Sequence, residues 1–127
     1  NLFAIIDGIA NVHEKLINWI ASAKKDLLLF PPEVIQNFGY GLGFVQLGRT
    51  PENAKVLHRL ESGVWELVEN DADGTYRAVY AVRFEEVIYV LHCFQKKSRK
   101  GMSTPKSDMD LIRQRLASAK ADYESRS

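Results

Sequence analysis

The chain has little cysteine, no long apolar run and no recognisable ligand spacing for a metal. Its one cysteine, Cys93, excludes a disulfide within the chain and favours a reducing compartment. Three histidines in 127 residues show no paired spacing, so neither a metal nor another cofactor is expected. The apolar stretch from Leu2 to Ala10 is broken by Asp7 and Gly8 and is too short to cross a bilayer. Together these absences predict a cytoplasmic protein with no membrane contact.

The length and the charge distribution indicate one domain with an uneven surface. A chain of 127 residues is long enough for one core but not for two, which predicts a single domain over 1–127. The formal net charge is +1, yet the charges are segregated. Acidic residues gather between Glu61 and Asp73, with no lysine or arginine among them. The sign of the charge therefore differs between parts of the surface.

The hydrophobic pattern predicts both helices and a sheet. Pro32 is well placed as the first residue of a helix over about 32–46. Residues 2–17 fit a short helix and residues 18–22 a short strand, although these patterns are too brief to decide. Segments rich in β-branched and aromatic residues predict three strands, and their short connections favour antiparallel hairpins. These segments are 64–69, 75–82 and 87–94.

A C-terminal helix completes the predicted fold. Its apolar stripe has alternating spacings of three and four residues and consists of Met109, Ile112, Leu116, Ala119 and Tyr123. Thr104 is expected to cap this helix, with Pro105 as its first residue. The predicted class is α+β, a twisted antiparallel sheet of three to four strands with helices packed on one face and the C-terminal helix after it. The other face of the sheet is expected to meet a ligand.

A run of cations is the most informative feature of the chain. Residues 92–106 contain no acidic residue and carry five cations, Lys96, Lys97, Arg99, Lys100 and Lys106. The run follows a β-rich segment, so the end of a strand and the loop beyond it should form a surface for phosphates. A smaller cluster of the same kind precedes the sheet and consists of Lys55, His58 and Arg59.

Two strand residues are candidates for chemistry. Arg77 lies in the middle of a predicted strand, where it must reach solvent, a carboxylate or a bound anion. A cross-strand pair with Glu66 or Glu69 and a bound anion are equally compatible with the pattern. His92 ends the next strand, where an imidazole can exchange protons near neutral pH or serve as a hydrogen-bonded structural residue.

These residue types fit the cleavage of RNA through its 2′-hydroxyl group. That reaction needs a base, an acid at the leaving oxygen and positive charge around the phosphate. Lysine, arginine and histidine can supply all three without a metal. A non-catalytic module whose basic loop docks RNA or a protein partner is the alternative, and a basic solvated loop on an interaction protein is a third interpretation.

Several segments then match a known pattern. They are Gly-Thr-Tyr-Arg-Ala-Val-Tyr-Ala-Val (74–82), Tyr-Val-Leu-His-Cys-Phe-Gln-Lys-Lys-Ser-Arg-Lys-Gly (89–101) and Thr-Pro-Lys (104–106), followed by a helix with Arg113 and Arg115. Together they resemble the phage-derived, HigB-like branch of the RelE toxin superfamily, and the resemblance covers roughly residues 18–123. Residues 1–17 match nothing in it and form a candidate N-terminal extension. The resemblance implies a compact RelE-like fold.

The resemblance also implies an activity and its residues. Members of the superfamily are ribosome-dependent endoribonucleases that cut messenger RNA, and a cognate antitoxin, often a helix-turn-helix protein, neutralises them. By this resemblance Arg77 stabilises transition-state charge, Lys96 and Lys97 contact phosphate and transfer protons, and His58 acts as a base or an acid. The sequence also allows a homodimer.

Overall fold

The computed structural model describes residues 14–96 and 104–126. In these ranges a five-stranded mixed sheet is combined with helices on both sides. The elements, in chain order, are β1 (Leu16–Trp19), α1 (Ala23–Leu27), α2 (Pro32–Gln46), β2 (Ala54–Val56), β3 (Val64–Asp71), β4 (Gly74–Ala81), β5 (Val87–Lys96) and α3 (Lys106–Ser125). The predicted α+β class, the helix beginning at Pro32 and the three long strands are confirmed.

The sheet has two short edge strands that the sequence pattern did not predict as parts of the sheet. The strand order is β1-β5-β4-β3-β2, and β1 runs parallel to β5 whereas the other pairs are antiparallel. The expected three or four antiparallel strands are therefore five in a mixed sheet. β1 and β2 contain 4 and 3 residues, too few for a period to be recognised. Residues 16 and 17 lie in β1 rather than in the helix predicted over 2–17, whose residues 2–13 lie outside the described ranges.

One face of the sheet packs against α1 and α2. Val34, Phe38 and Leu42, four residues apart on α2, are buried in a cluster that contains the inward side chains of the sheet. Gly41 lets the helix approach closely, because a Cβ atom there would lie 3.0 Å from Cδ1 of Leu67. A side chain at position 41 would require the end of the Leu67 side chain to shift by a few tenths of an ångström.

The opposite face carries α3. The predicted stripe is confirmed, since Met109, Ile112, Leu116 and Ala119 are buried against the sheet and Tyr123 packs at the margin of the same cluster. The face that we expected to be open to a ligand is thus partly covered by the C-terminal helix. A long apolar stripe can be buried only by packing on a second apolar surface, and α1 and α2 already occupy the first face.

The start of α3 differs from the expected cap. The helix begins at Lys106, and Pro105 occupies the cap position with no side-chain hydrogen bond to the helix. The Thr104 hydroxyl is buried, and within the described residues it has no hydrogen-bond partner. The prediction that Thr104 caps the helix is therefore wrong. The proline has φ −57° and ψ 152°, an extended conformation that precedes the first turn.

The far end of α3 is anchored to the sheet by Asp122. Its Oδ2 atom accepts hydrogen bonds from the Tyr89 hydroxyl at 2.6 Å, from Arg126 Nε at 2.8 Å and from Asn18 Nδ2 at 3.1 Å. The hydrogen bond from Tyr89, followed by the one from Arg126, lowers the pKa of the Asp122 carboxyl below its ordinary value of 3.8. One carboxylate thus joins α3 to both β1 and β5.

This anchor makes the stability depend on pH in a defined direction. Because the folded-state pKa of Asp122 is lowered, its stabilisation is present above 3.8 and is lost as the pH falls from there through the folded value. Asp122→Asn is expected to lower the free energy of unfolding at pH 7 and to lose less stability than the parent on acidification. Urea unfolding of both proteins at neutral and acidic pH measures this. Parallel losses on acidification would contradict it.

Candidate functional site

One side of strands β2 to β5 collects polar side chains. Residues that lie opposite each other in neighbouring strands point to the same side of a sheet. The pairs on this side are Lys55 with Glu66, Val79 with both Glu66 and His92, Arg77 with both Val68 and Phe94, and Thr75 with Lys96. We call this surface the polar face and define it by Lys55, Glu66, Arg77, His92 and Lys96. It lies on the α3 side of the sheet.

A β-bulge in β5 brings the last part of this strand onto the polar face. Val79 pairs with His92, but the next residue of β4, Tyr80, pairs with Val90, so Leu91 is an extra residue in β5. Before the bulge the odd-numbered residues of β5 face α3, and after it the even-numbered residues do. Without the extra residue, Lys96 would point towards α1 and α2.

The same bulge places Cys93 in the core formed with α1 and α2. Its thiol is buried, and burial is the main cause that raises its pKa to about 12. Tyr80 is buried in the same core, on the side of the sheet opposite Arg77. Both residues are therefore part of the core between the sheet and these two helices.

Arg77 and Glu66 form a buried ion pair on the polar face. Arg77 Nη1 lies 2.9 Å from Glu66 Oε1, and the two side chains are 9% and 7% exposed. One of the two partners considered from the sequence, Glu66, is thus the observed one, and Glu69 instead accepts hydrogen bonds from Asn37 and Asn53. The carboxylate fixes the orientation of the guanidinium group in the middle of the sheet.

Lys96 lies next to this pair and is itself buried. It is the last residue of β5 and is 5% exposed. Burial lowers the pKa of its amine, the positive charge of Arg77 lowers it further, and Glu66 opposes the change. A lysine with a lowered pKa can exchange a proton closer to neutral pH than an exposed one. The structure therefore places Arg77 and Lys96 close together, beside Glu66.

His92 is held by α3 through both of its ring nitrogens. Nε2 lies 2.7 Å from Asp108 Oδ1, Nδ1 lies 3.4 Å from Arg115 Nη1, and the ring stacks on Phe94 with centroids 4.8 Å apart. These contacts match the hydrogen-bonded structural role considered for this residue. Proton transfer by His92 would require it to leave one of these partners.

The other predicted binding residues lie at the edge of the polar face or away from it. Lys55 is exposed on β2 and points to the polar face. His58 and Arg59 are exposed in the turn after β2, and Arg59 Nη2 lies 3.4 Å from the carbonyl oxygen of Thr104. Lys106 is exposed on the first turn of α3 and pairs with Asp110. Lys97, Arg99 and Lys100 lie outside the described residues.

Asp108 and Arg115 contact the polar face through His92, although the sequence assigned neither residue a role. Both are on α3, and their partner His92 is on β5, so the contact depends on how the helix is packed. The spacing of seven residues between them offered a signal, because residues that far apart lie on one side of a helix. That side is close to the apolar stripe.

Neither a metal site nor a membrane span is found in the described part of the chain. Among residues 14–96 and 104–126, no three or more histidine, cysteine, aspartate or glutamate side chains are grouped so that they could hold a metal ion. In the same ranges no helix is both long enough and apolar enough to cross a bilayer.

Comparisons with known proteins identify a family. The crystal structure of the toxin–antitoxin complex RelBE2 from Mycobacterium tuberculosis contains a chain with 23% identity and a TM-score of 0.45, over 67% of this chain and 94% of that one. No curated protein matches. The model of the family described as phage-derived protein Gp49-like matches residues 25–117, well over half of the chain. The chain therefore belongs to the Gp49-like family of phage-derived proteins, and the phage-derived kinship predicted from its sequence is confirmed.

Proposed function

We propose that this protein is the toxin of a type II toxin–antitoxin system and cuts messenger RNA on the ribosome. The proposed reaction is metal-independent attack of a 2′-hydroxyl group on the adjacent phosphate. Membership of the Gp49-like family supports the toxin role. The observation that carries the enzymatic part is the grouping of Arg77, Lys96 and Glu66 on one face of the sheet.

The charges of this group suit a phosphate that gains negative charge. Together the three side chains carry +1 when Lys96 is protonated, because the carboxylate balances one of the two cations. A phosphodiester brings −1 and becomes more negative in the transition state, so the attraction is stronger there than in the ground state. The guanidinium group of Arg77 supplies the part of this charge that does not depend on Lys96.

Lys96 is proposed to move a proton, because its amine is the group in this cluster with a lowered pKa. In its neutral form it can accept the proton of the 2′-hydroxyl group, and in its charged form it can donate to the leaving 5′-oxygen. Lys97 and His58 are the other proton-transfer candidates implied by the family resemblance. His92 is less suited, since both of its ring nitrogens have partners on α3.

The exposed cations are proposed to contact the RNA backbone on either side of the cleaved linkage. Lys55 lies on the polar face itself, and Arg59 and Lys106 lie near the start of α3. We extend the same proposal to Arg99 and Lys100. Contacts of this kind release counterions and weaken as the salt concentration rises.

The burial of the central group favours one alternative. Arg77 and Lys96 are 8% and 5% exposed, so little of either side chain is open to RNA in this structure. If they remain covered, the protein is instead a binding module, and its exposed cations dock RNA or a protein partner without cutting.

A cognate helix-turn-helix antitoxin is the partner that the family resemblance implies for the toxin.

A cleavage assay separates these two functions. Purified protein is added to a translating extract and, separately, to the same messenger RNA without ribosomes. We expect cuts in the extract alone, with 5′-hydroxyl and 2′,3′-cyclic phosphate ends, because attack by the neighbouring hydroxyl produces those ends. Salt-sensitive RNA binding without cuts in either reaction would support the binding module. Ends with a 5′-phosphate would contradict the proposed chemistry.

A further inference from the structure

We propose that Arg115, on α3, is a positioning residue that holds the β5 bulge and thereby keeps Lys96 on the same face as Arg77. The proposal rests on the proposed function for its effect on cleavage, whereas its structural part stands on the contacts alone. Arg115 is partly exposed on the side of α3 that meets β5, and it contacts Leu91 and His92 on β5 and Ser22 just before α1.

The guanidinium group of Arg115 binds directly to the bulge. Nη1 donates to the carbonyl oxygen of Leu91 at 3.0 Å and lies 3.4 Å from Nδ1 of His92. Leu91 is the extra residue of β5, and the extra residue of a bulge is not paired in the regular ladder. Arg115 therefore bonds a backbone group at the point where the ladder between β4 and β5 is interrupted.

The second nitrogen of the group is fixed as well. Nη2 of Arg115 lies 3.1 Å from the Ser22 hydroxyl, which in turn donates to Asp26 at 2.7 Å. Both nitrogens are thus engaged, and the planar group bridges α3, β5 and the start of α1. A lysine has one nitrogen and no fixed fork, so it cannot make all of these contacts at once.

The bulge determines which side chains of β5 lie on the polar face. Because side chains alternate along a strand, a loss of the extra residue would send His92, Phe94 and Lys96 to the α1 and α2 side and Cys93 to the polar face. The pairings Thr75–Lys96 and Arg77–Phe94 exist only with the bulge in place. Arg115 acts on Lys96 through this register and makes no contact with a reacting atom.

The structural part is tested by cross-strand nuclear Overhauser effects in Arg115→Ala. The contacts beyond the bulge, Arg77–Phe94 and Thr75–Lys96, are expected to weaken or disappear. Those before it, Tyr80–Val90 and Ala81–Tyr89, are expected to persist and serve as an internal reference. Uniform weakening on both sides, which general destabilisation produces, would overturn the proposal, and so would an unchanged pattern.

Two further variants sharpen this measurement. Arg113→Ala removes a neighbouring exposed arginine whose partner is Asp110 at 3.2 Å, and it is expected to leave all four contacts intact. Arg115→Lys keeps one donor and is expected to restore part of the lost contacts. Loss of the same contacts in Arg113→Ala would show that any charge removed from α3 has this effect, which would overturn the specific role of Arg115.

The effect on cleavage is measured separately. If the parent protein cuts messenger RNA, Arg115→Ala is expected to lower kcat on the order of 100-fold with a smaller change in KM, because a displaced Lys96 impairs the reaction more than RNA binding. An unchanged kcat despite altered contacts would overturn the link between register and reaction. A parent that shows the register effect but no cleavage would refute the proposed function and leave the positioning role intact.

Discussion

Arg77→Ala is expected to abolish RNA cleavage and also to lower the free energy of unfolding by about 3–5 kcal/mol. The loss of stability follows from Glu66, which the substitution leaves buried without its hydrogen-bonded partner at 2.9 Å and with Lys96 as the cation beside it. Chemical denaturation measures the stability, and the translating extract measures cleavage. The single variant therefore cannot separate a catalytic role from a structural one.

A double variant makes that separation. Glu66→Leu combined with Arg77→Met replaces both charges with apolar side chains of similar size, and such replacements are often neutral or stabilising by about 1–4 kcal/mol. We expect this protein to be as stable as the parent and still inactive. If the stable double variant cuts messenger RNA at the parental rate, Arg77 has no part in the reaction. If it is unstable, the ion pair contributes more than a hydrophobic pair would.

Lys96→Met is expected to reduce cleavage strongly while the folded protein remains at least as stable as the parent. The pKa of the Lys96 amine is lowered chiefly by burial, so the folded state disfavours the charge that the unfolded chain carries readily. Methionine has a similar length and carries no charge to desolvate. The expected loss of activity is about 100-fold or more, the size of a typical acid–base contribution.

The pH dependence gives this prediction a second measurement. In the interval between the lowered folded-state pKa of Lys96 and its ordinary value of 10.5, the unfolded chain binds the proton and the folded protein does not. The stability of the parent should therefore rise with pH in that interval, and the slope should be smaller in Lys96→Met. Lys106→Met, which removes an 89% exposed lysine, is the matched control. A large loss of stability in Lys96→Met, with no such loss in Lys106→Met, would contradict the prediction that burying the charge of Lys96 costs stability.

The long helices and strands were predictable because their sequence patterns extend over many residues. The stripe from Met109 to Ala119 repeats over several turns, and the segment that forms β4 is a long run rich in β-branched and aromatic residues, so the burial of both follows from the sequence. The side of the sheet that α3 covers was not predictable, because both faces of the sheet present apolar side chains. β1 and β2 are defined by their pairing with distant strands rather than by their own residues.

The candidate site was partly predictable for similar reasons. An arginine in the middle of a strand required a partner, and Glu66 was one of two carboxylates in reach. The burial of Lys96 was not foreseen, since β5 continues two residues beyond Phe94, where the sequence had suggested that a basic loop begins. The bulge at Leu91 has no signature in the sequence, and it determines which residues of β5 accompany Arg77.

The parallel pairing of β1 with β5 has a consequence for biosynthesis. Leu16 pairs with Val87, so β1 must wait after its synthesis until about 70 further residues have been made. During this delay its backbone donors and acceptors are exposed to other nascent chains. We therefore regard the completion of β5 as the step that closes the sheet and protects the newly made polypeptide from intermolecular strand exchange.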